Sequence, residues 1–364
     1  LGDFKMSIDE LRVGIDKIDN EILGLLNQRM EFVKKIGELK VGSNAPIYRP
    51  ERERAILERL KSLPNNTLSS KAIEAIYLEI FAVSRNLELP QKVAFLGPVG
   101  TYTHQAAESR FGAMSSYTPI SSIEGVFREL NNGEAKYGVV PIENNTEGAV
   151  GITLDCLRKY ENVKIVAEIY MDIHHSFVSL NENLSDIKKI YSHPQGYNQC
   201  HKFLDDHNLN SIEFIPTKST AQAAYLASQD PSSAAICSKI AAHINKVPIM
   251  FEKIEDNMAN RTRFFVLSDF KNIKSSCNKT SILALTAHRP GGLVELLNMF
   301  KEGGINLTKL ESRPIKQKDF KTVFYIDFEG HIDDENVEAV LKNASQNGHE
   351  ITWLGSYLNQ EGQE

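Results

Sequence analysis

A chain of 364 residues exceeds what one hydrophobic core usually serves and divides into two or three domains. Its formal net charge of −6 offers no footprint for nucleic acid or an anionic membrane, so any anion site must be a local concentration of Arg and Lys. Cys156, Cys200, Cys237 and Cys277 are widely spaced and form no CxxC pair, which argues against a zinc or disulfide framework and for free thiols in a reducing cytoplasm.

Residues 1–6 read as a short tail, and the opening LGDFKMSIDELR lacks the charged-then-apolar order of a signal peptide. No apolar stretch is long enough to span a bilayer. From Ile8 to Leu39 apolar residues recur at spacings of three and four (Leu11, Ile15, Ile18, Ile22, Leu25, Val33, Ile36), which predicts one long helix with a coiled-coil-like seam, ending at Gly42. A second helix starts with Pro50 in its first turn and stops near Pro64, and a third runs from about Ser69 to Leu87. The first helix, roughly 45 Å long, has too little to pack against in a monomer, so this segment, residues 7–90, predicts an all-α helical dimer.

From residue 91 to 272 short apolar runs alternate with helical stretches. Lys92–Leu96, Gly138–Ile142, Ile187–Tyr191, Ile212–Ile215, Ala234–Cys237 and Phe264–Leu267 predict strands, with helices such as Thr220–Ser228 between them, hence a two-lobed α/β domain. Several of these strands run into polar loops, FLGPVGTYTH, VVPIENNTEG, IYSHPQGYNQC and IPTKSTAQAA, and such loops at strand ends are where ligands collect in open α/β sheets. In NRTRFFVL the run Phe264–Leu267 predicts a strand buried on both faces, while two arginines flank Thr262 at its start, a pattern that suits an anionic ligand. The pair His174-His175 lies in a strand-like segment, where neighbouring side chains point to opposite faces and do not readily share a metal. Residues 278–358 follow the order βαββαβ of a ferredoxin-like module and contain no nucleophile with a base.

In the first helix Arg29 and Lys40 are eleven residues apart, about 20° around the axis, and share a face. Arg12 sits roughly 100° from Arg29 and serves that face only from an antiparallel partner. With Arg52 and Glu53 the bundle gains a cationic interior holding one carboxylate; by pattern alone this could equally be a solvated face.

These residues, Leu11-Arg12, Arg29, Lys40 and IYRPERE at 47–53, resemble the all-helical chorismate mutase domain. The middle segment resembles prephenate dehydratase, through GPVGTYTHQAA, PIENNTEG, SHPQ, STAQA and NRTRF. The last is similar to a phenylalanine-binding ACT domain, through GGLV at 291–294 and LESRP at 310–314. Together they stand in the order of a bifunctional chorismate mutase and prephenate dehydratase of phenylalanine biosynthesis, a homo-oligomer, dimer or tetramer, of the cytoplasm.

The resemblance implies that Arg29 and the partner's Arg12 hold the carboxylates of chorismate, that Lys40 donates to its ether oxygen, that Glu53 accepts from the ring hydroxyl and that Arg52 supports the anionic end, with Ser84 at the same site. Glu88 stands where some relatives place an amide; a carboxylate cannot donate a hydrogen bond, so Glu88 acts protonated and mutase turnover declines as pH rises. In the dehydratase it implies that Thr262 acts on the departing ring hydroxyl and Arg263 binds a carboxylate, with Phe264 packing the site and Thr101, Thr103, Asn144, Ser192, Gln195, Ser219 and Thr220 lining the cleft. L-phenylalanine would bind the last module through Gly291, Gly292, Leu293, Val294, Asn306, Leu307, Glu311, Ser312, Arg313 and Pro314, with Gly292 replacing the usual alanine. Neither reaction moves electrons between substrate and a carrier, so no cofactor or metal is called for. The alternatives are a noncatalytic two-lobed amino-acid-sensing regulator and an enzyme that keeps one of the two activities.

Overall fold

The computed structural model describes residues 7–40, 49–64, 67–88, 91–146, 148–257, 259–275, 277–314 and 322–360. The predicted tail at 1–6 and the predicted helix stop at Gly42 lie outside the described residues. Helices α1 (Ile8–Lys40), α2 (Pro50–Lys61) and α3 (Ser70–Glu88) form the first unit. Pro50 opens α2 with Glu51 and Glu53 in its first turn and Arg59 and Lys61 in its last, matching the helix dipole at both ends. Gly37 is the buried residue of α1: a Cβ there would stand 2.9 Å from the carbonyl oxygen of Glu88, so the missing side chain sets how closely α1 and α3 approach. The predicted seam exists, but its residues Leu11, Ile15, Ile18, Ile22 and Leu25 are exposed within one chain.

The α/β region begins with β1 (Lys92–Leu96), α4 (Tyr102–Phe111), β2 (Ser116–Ile120), α5 (Ile123–Asn131), β3 (Tyr137–Asn144), β4 (Gly148–Ala149), α6 (Gly151–Lys159) and β5 (Lys164–Asp172). The chain then builds a second lobe from β6 (Ser176–Ser179), a 3-10 turn at Leu184–Asp186, β7 (Lys189–Ser192), α7 (Pro194–Asn198), α8 (His201–Asp206), β8 (Glu213–Pro216), α9 (Thr220–Ala227), β9 (Ser233–Cys237), α10 (Lys239–Ile244) and β10 (Ile249–Glu252). Strand β11 (Arg261–Ser268) returns to the first lobe, pairing antiparallel with both β3 and β5. The sheet orders are β2-β1-β3-β11-β5, with β4 on β3, and β10-β6-β9-β7-β8. The apolar runs predict β1, β3, β7, β8, β9 and β11, and the structure adds β2, β4, β5, β6 and β10. His174 and His175 fall in the connection between β5 and β6 rather than inside a strand.

The last unit, β12 (Asn278–Leu285), α11 (Gly292–Glu302), β13 (Leu307–Pro314), β14 (Thr322–Glu329), α12 (Glu335–Gln346) and β15 (Glu350–Leu358), is the expected βαββαβ module with sheet order β13-β14-β12-β15. One face of its sheet buries Ile282, Ile326 and Phe328 against Leu296, Phe300 and Val337 of its helices. The other face packs on the first-lobe sheet, where Leu283, Tyr325, Leu354 and Tyr357 meet Phe265, Leu267 and Ile165. Phe264 and Val266 alternate to the opposite side, beside Phe95 and Val139, so β11 is buried on both faces as its apolar run requires.

Candidate active sites

The helical unit encloses a groove of about 800 Å³ whose lining includes Arg29, Lys40, Arg52, Glu53, Ser84 and Glu88. Arg49, Arg59 and Arg85 also line it, so six cations face two carboxylates in a cavity suited to a small polyanion. The α1 face inferred from helical spacing is therefore real: Arg29 donates to Ser84 Oγ at 2.5 Å, and Lys40 Nζ meets Glu88 Oε1 at 2.5 Å. Burial lowers the pKa of the Arg29 guanidinium; Tyr77 opposes that shift and Arg52 adds to it. Arg12 is not brought there; it lies exposed on the N-terminal half of α1, within 3.4 Å of Asp9.

Arg85 was missed by sequence reasoning. Buried on the apolar side of α3, it pairs with Glu53 and donates to the backbone carbonyl of Phe111 at 2.9 Å. It thus ties the groove's carboxylate to the end of α4 in the next unit. Ala113 N donating to Glu79 at 3.0 Å and Asn86 donating to Met114 O at 2.7 Å complete that junction. Nothing local in the sequence marks Arg85, because its partners come from distant segments.

In the α/β region Thr262 and Asn144 meet at the ends of the adjacent strands β11 and β3. Asn144 Nδ2 donates to Thr262 Oγ1 at 2.7 Å and to Asn260 Oδ1 at 3.0 Å. Its Oδ1 accepts from the backbone N–H of Thr146 at 2.9 Å, and since that group can only donate, the amide has one orientation. Thr262 therefore accepts from Asn144, and its own proton is left to donate elsewhere; among the described residues the hydroxyl has no other partner.

The polar chain continues across the lobes. Asn260 Nδ2 reaches Gln199 Oε1 at 3.4 Å, Gln199 Oε1 meets His175 Nε2 at 2.9 Å, and His175 Nδ1 meets Tyr102 Oη at 2.7 Å. Glu255, itself buried, accepts from the backbone N–H of His175 at 2.8 Å and contacts His174 Nδ1 at 2.6 Å. Burial pushes the His175 pKa down, against Gln199 and Glu255, favouring a neutral ring whose Nε2–H donates to Gln199 and whose Nδ1 accepts from Tyr102. Tyr102, Gln199 and Glu255 were not picked out from the sequence, which read the two histidines only as side chains that do not readily share a metal; they serve different partners.

The remaining expected cleft residues occupy facing loops. Thr101 Oγ1 caps α4 by accepting from His104 N, and Ser219 caps α9 by accepting from Gln222 N at 3.1 Å. Thr103 is buried on α4, Gln195 and Thr220 lie in the first turns of α7 and α9, and Ser192 Oγ, fully buried, donates to His193 O at 3.0 Å. Phe264 packs in the first-lobe core beneath Thr262.

Arg263 has other partners. Adjacent residues of an extended strand point to opposite faces, and Arg263 turns away from the cleft into the seam beneath the βαββαβ module. There Nε donates to Glu168 at 2.9 Å and Nη1 to Asp327 at 2.7 Å, so its guanidinium is already committed to two buried carboxylates. The guanidinium expected to bind a carboxylate beside Thr262 is thus held by Glu168 and Asp327 in this structure.

In the terminal module Gly291, at φ +80°, precedes α11, and Gly292, Leu293 and Val294 form its first turn with Val294 exposed. A Cβ on Gly292 would stand 2.5 Å from the carbonyl oxygen of Ala287, so in this conformation the loop closes over a hydrogen where an alanine would need room. Asn306 is exposed just before β13, and Leu307, Glu311, Ser312, Arg313 and Pro314 lie on β13 itself, the sheet edge, where Arg313 reaches Asp155 of α6 at 3.4 Å.

These three regions coincide with three known families: chorismate mutase type II over residues 11–89, prephenate dehydratase over 93–272 and the ACT domain over 280–346. The bifunctional chorismate mutase/prephenate dehydratase of Aquifex aeolicus is 41% identical over 354 residues, 96% of this chain and 97% of that one. That of Escherichia coli is 31% identical over 369 residues, 95% of each chain. Among solved structures, the prephenate dehydratase of Arthrobacter aurescens in complex with L-Phe superimposes with a TM-score of 0.66 at 32% identity, covering 74% of this chain and 90% of that one. With the order of units, the cationic groove and the two-lobed cleft all in agreement, the chain belongs to the family of bifunctional chorismate mutase/prephenate dehydratases.

Proposed function

We propose that the helical groove rearranges chorismate and that the Thr262 cleft converts prephenate to phenylpyruvate, with L-phenylalanine as feedback inhibitor through the ACT module. Chorismate carries two carboxylates, and its concerted rearrangement needs only a compact, oriented conformer. Arg29 and Arg52 face those carboxylates, Lys40 donates to the ether oxygen as its bond breaks, Glu53 held by Arg85 accepts from the ring hydroxyl, and Ser84 fixes Arg29. Glu88 pairs with Lys40 and so orients the ammonium toward the ether oxygen. A second copy covers the apolar seam of α1 and lends its own Arg12, which is why the seam is exposed in one chain.

In the dehydratase cleft a carboxylate leaves as carbon dioxide while the ring hydroxyl leaves, and the electron pair from the broken C–C bond restores aromaticity. Hydroxide is a poor leaving group unless a donor meets it. The observation that carries the assignment is the fixed amide of Asn144, which makes Thr262 present its proton to that oxygen. Thr103, Ser192, Gln195, Ser219 and Thr220 shape the facing side and Thr101 holds α4 in place. Phenylalanine binds between two ACT modules at Gly291–Val294 and at Asn306, Leu307 and Glu311–Pro314. The free thiols Cys156, Cys200, Cys237 and Cys277 suit a cytoplasmic setting.

The test supplies purified protein with chorismate and follows chorismate, prephenate and phenylpyruvate together, with and without L-phenylalanine. Thr262→Ala should accumulate prephenate without phenylpyruvate, and the effector should depress the second step more than the first. Chorismate untouched beyond its uncatalysed loss, and prephenate likewise stable, would leave a noncatalytic sensor as the better reading.

A further inference from the structure

Arg263 is one residue from Thr262 yet belongs to a different neighbourhood. In the seam between the dehydratase and ACT sheets its Nε and Nη2 lie 2.9 and 2.7 Å from Glu168 Oε2 of β5, Nη1 lies 2.7 Å from Asp327 of β14, and Nη2 donates to the Tyr357 hydroxyl of β15 at 3.0 Å. Lys279 of β12 donates to the same Glu168 at 3.1 Å, and Ser281 donates to Asp327 Oδ1 at 2.6 Å. Two cations and two carboxylates, none more than 4% exposed, thus form one network, half supplied by each domain.

A buried ionic cluster is a weak device for stability, because desolvation offsets its Coulombic gain and apolar side chains of similar volume would serve. What it supplies is direction: each group has one satisfactory arrangement, so displacing one sheet against the other moves the guanidinium. The seam leaves room for such movement, since a cavity of about 300 Å³ borders Arg263, Asp327, Tyr170 and Lys309. The register between β11 and β3 is also irregular between Arg263 and Phe264, the kind of bulge that re-aims neighbouring side chains.

We propose that Arg263 is a positioning residue for Thr262, and that its pairing with Asp327 is the contact through which the state of the ACT module reaches the dehydratase hydroxyl. This rests on Thr262 being the donor in the cleft. An effector acts only by binding two arrangements unequally. An arrangement of the ACT sheet that withdraws Asp327 and Tyr357 leaves Arg263 to Glu168 alone, rotates β11 and draws Thr262 away from Asn144.

The experiment uses the full-length protein with prephenate as substrate, a titration of L-phenylalanine, and mutase turnover on the same preparations as a check on folding. Asp327→Asn and Arg263→Lys should lower dehydratase kcat by about tenfold or more with KM within about twofold, the signature of a lost transition-state interaction rather than lost binding. Tyr357→Phe should keep the uninhibited rate within about threefold while shifting half-inhibition by L-phenylalanine about fivefold or more. If the charge variants lose mutase turnover as well, Tyr357→Phe alone decides. Arg263→Lys raising KM about tenfold at unchanged kcat would make Arg263 a substrate ligand and overturn the proposal. So would Tyr357→Phe with an unaltered effector response, or a wild-type enzyme indifferent to L-phenylalanine. Thr262→Ala at full dehydratase rate would instead remove the underlying site assignment, whereas an inactive Thr262→Ala beside an unaltered Tyr357→Phe response would remove only the coupling.

Discussion

Asn144→Asp probes the direction of one hydrogen bond with almost no change of shape. In the native site the Thr146 N–H fixes the amide oxygen, and Nδ2 stands 2.7 Å from Thr262 Oγ1. The substitution turns that nitrogen into a carboxylate oxygen. Thr262 then commits its proton to a charged acceptor, a bond worth roughly 1.5–3 kcal/mol, and shows the substrate a lone pair. The same oxygen would face Asn260 Oδ1 across 3.0 Å, oxygen against oxygen, which strengthens its demand for the threonine proton. Removing one donor aimed at developing charge costs on the order of 10²–10³ in kcat. Dehydratase kcat should therefore fall about 100-fold or more, measured as phenylpyruvate formed from prephenate, with mutase turnover unchanged because its groove is built from the three N-terminal helices. Thr262→Val should lose a similar factor, and the double variant should be little worse than either, since both remove the same proton from the substrate. A variant Asn144→Asp that keeps kcat within about threefold, or losses that simply multiply in the double variant, would refute this orientation of the hydroxyl.

Two further outcomes follow from the electrostatics. An amide can accept from Lys40 and also donate to the ether oxygen, whereas a carboxylate only accepts, so Glu88→Gln should keep or raise mutase turnover; a loss of about tenfold or more would show that the charge of Glu88 on Lys40 is required. Burial lowers the pKa of His104 and of His175, so in each the folded state disfavours the proton that the unfolded chain binds below about 6.5. The stability these neutral rings contribute is present above that value and is lost as pH falls through the depressed folded value. The urea midpoint should accordingly drop between about pH 7.5 and 5.5, and His175→Gln should weaken that dependence; a midpoint independent of pH over this range would remove the argument.

Features set by neighbours in the chain were legible in the sequence. Spacings of three and four gave the long helix and placed Arg29 and Lys40 on one face, because helical geometry is a local rule. Pro50 marked the start of the second helix, and Phe264–Leu267 announced a strand buried on both sides. The same alternation sends the neighbouring side chains of Thr262 and Arg263 to opposite faces, although the motif NRTRF carries both. The long strand β5 escaped notice because Glu168 interrupts its apolar run, and that carboxylate is tolerated inside only because Arg263 and Lys279 arrive to pair with it.

What the sequence determined by itself is the order of the three units, their helices and strands, and the residue types that could bind an anion or move a proton. Tertiary structure alone decided the pairings. Arg85 finds Glu53 from 32 residues away, Thr262 finds Asn144 from 118 and Arg263 finds Asp327 from 64, and no local period encodes such distances. They arise when sheets and helices bury their apolar faces, which fixes where each polar side chain ends and leaves buried donors and acceptors to be satisfied by whatever that packing brings near.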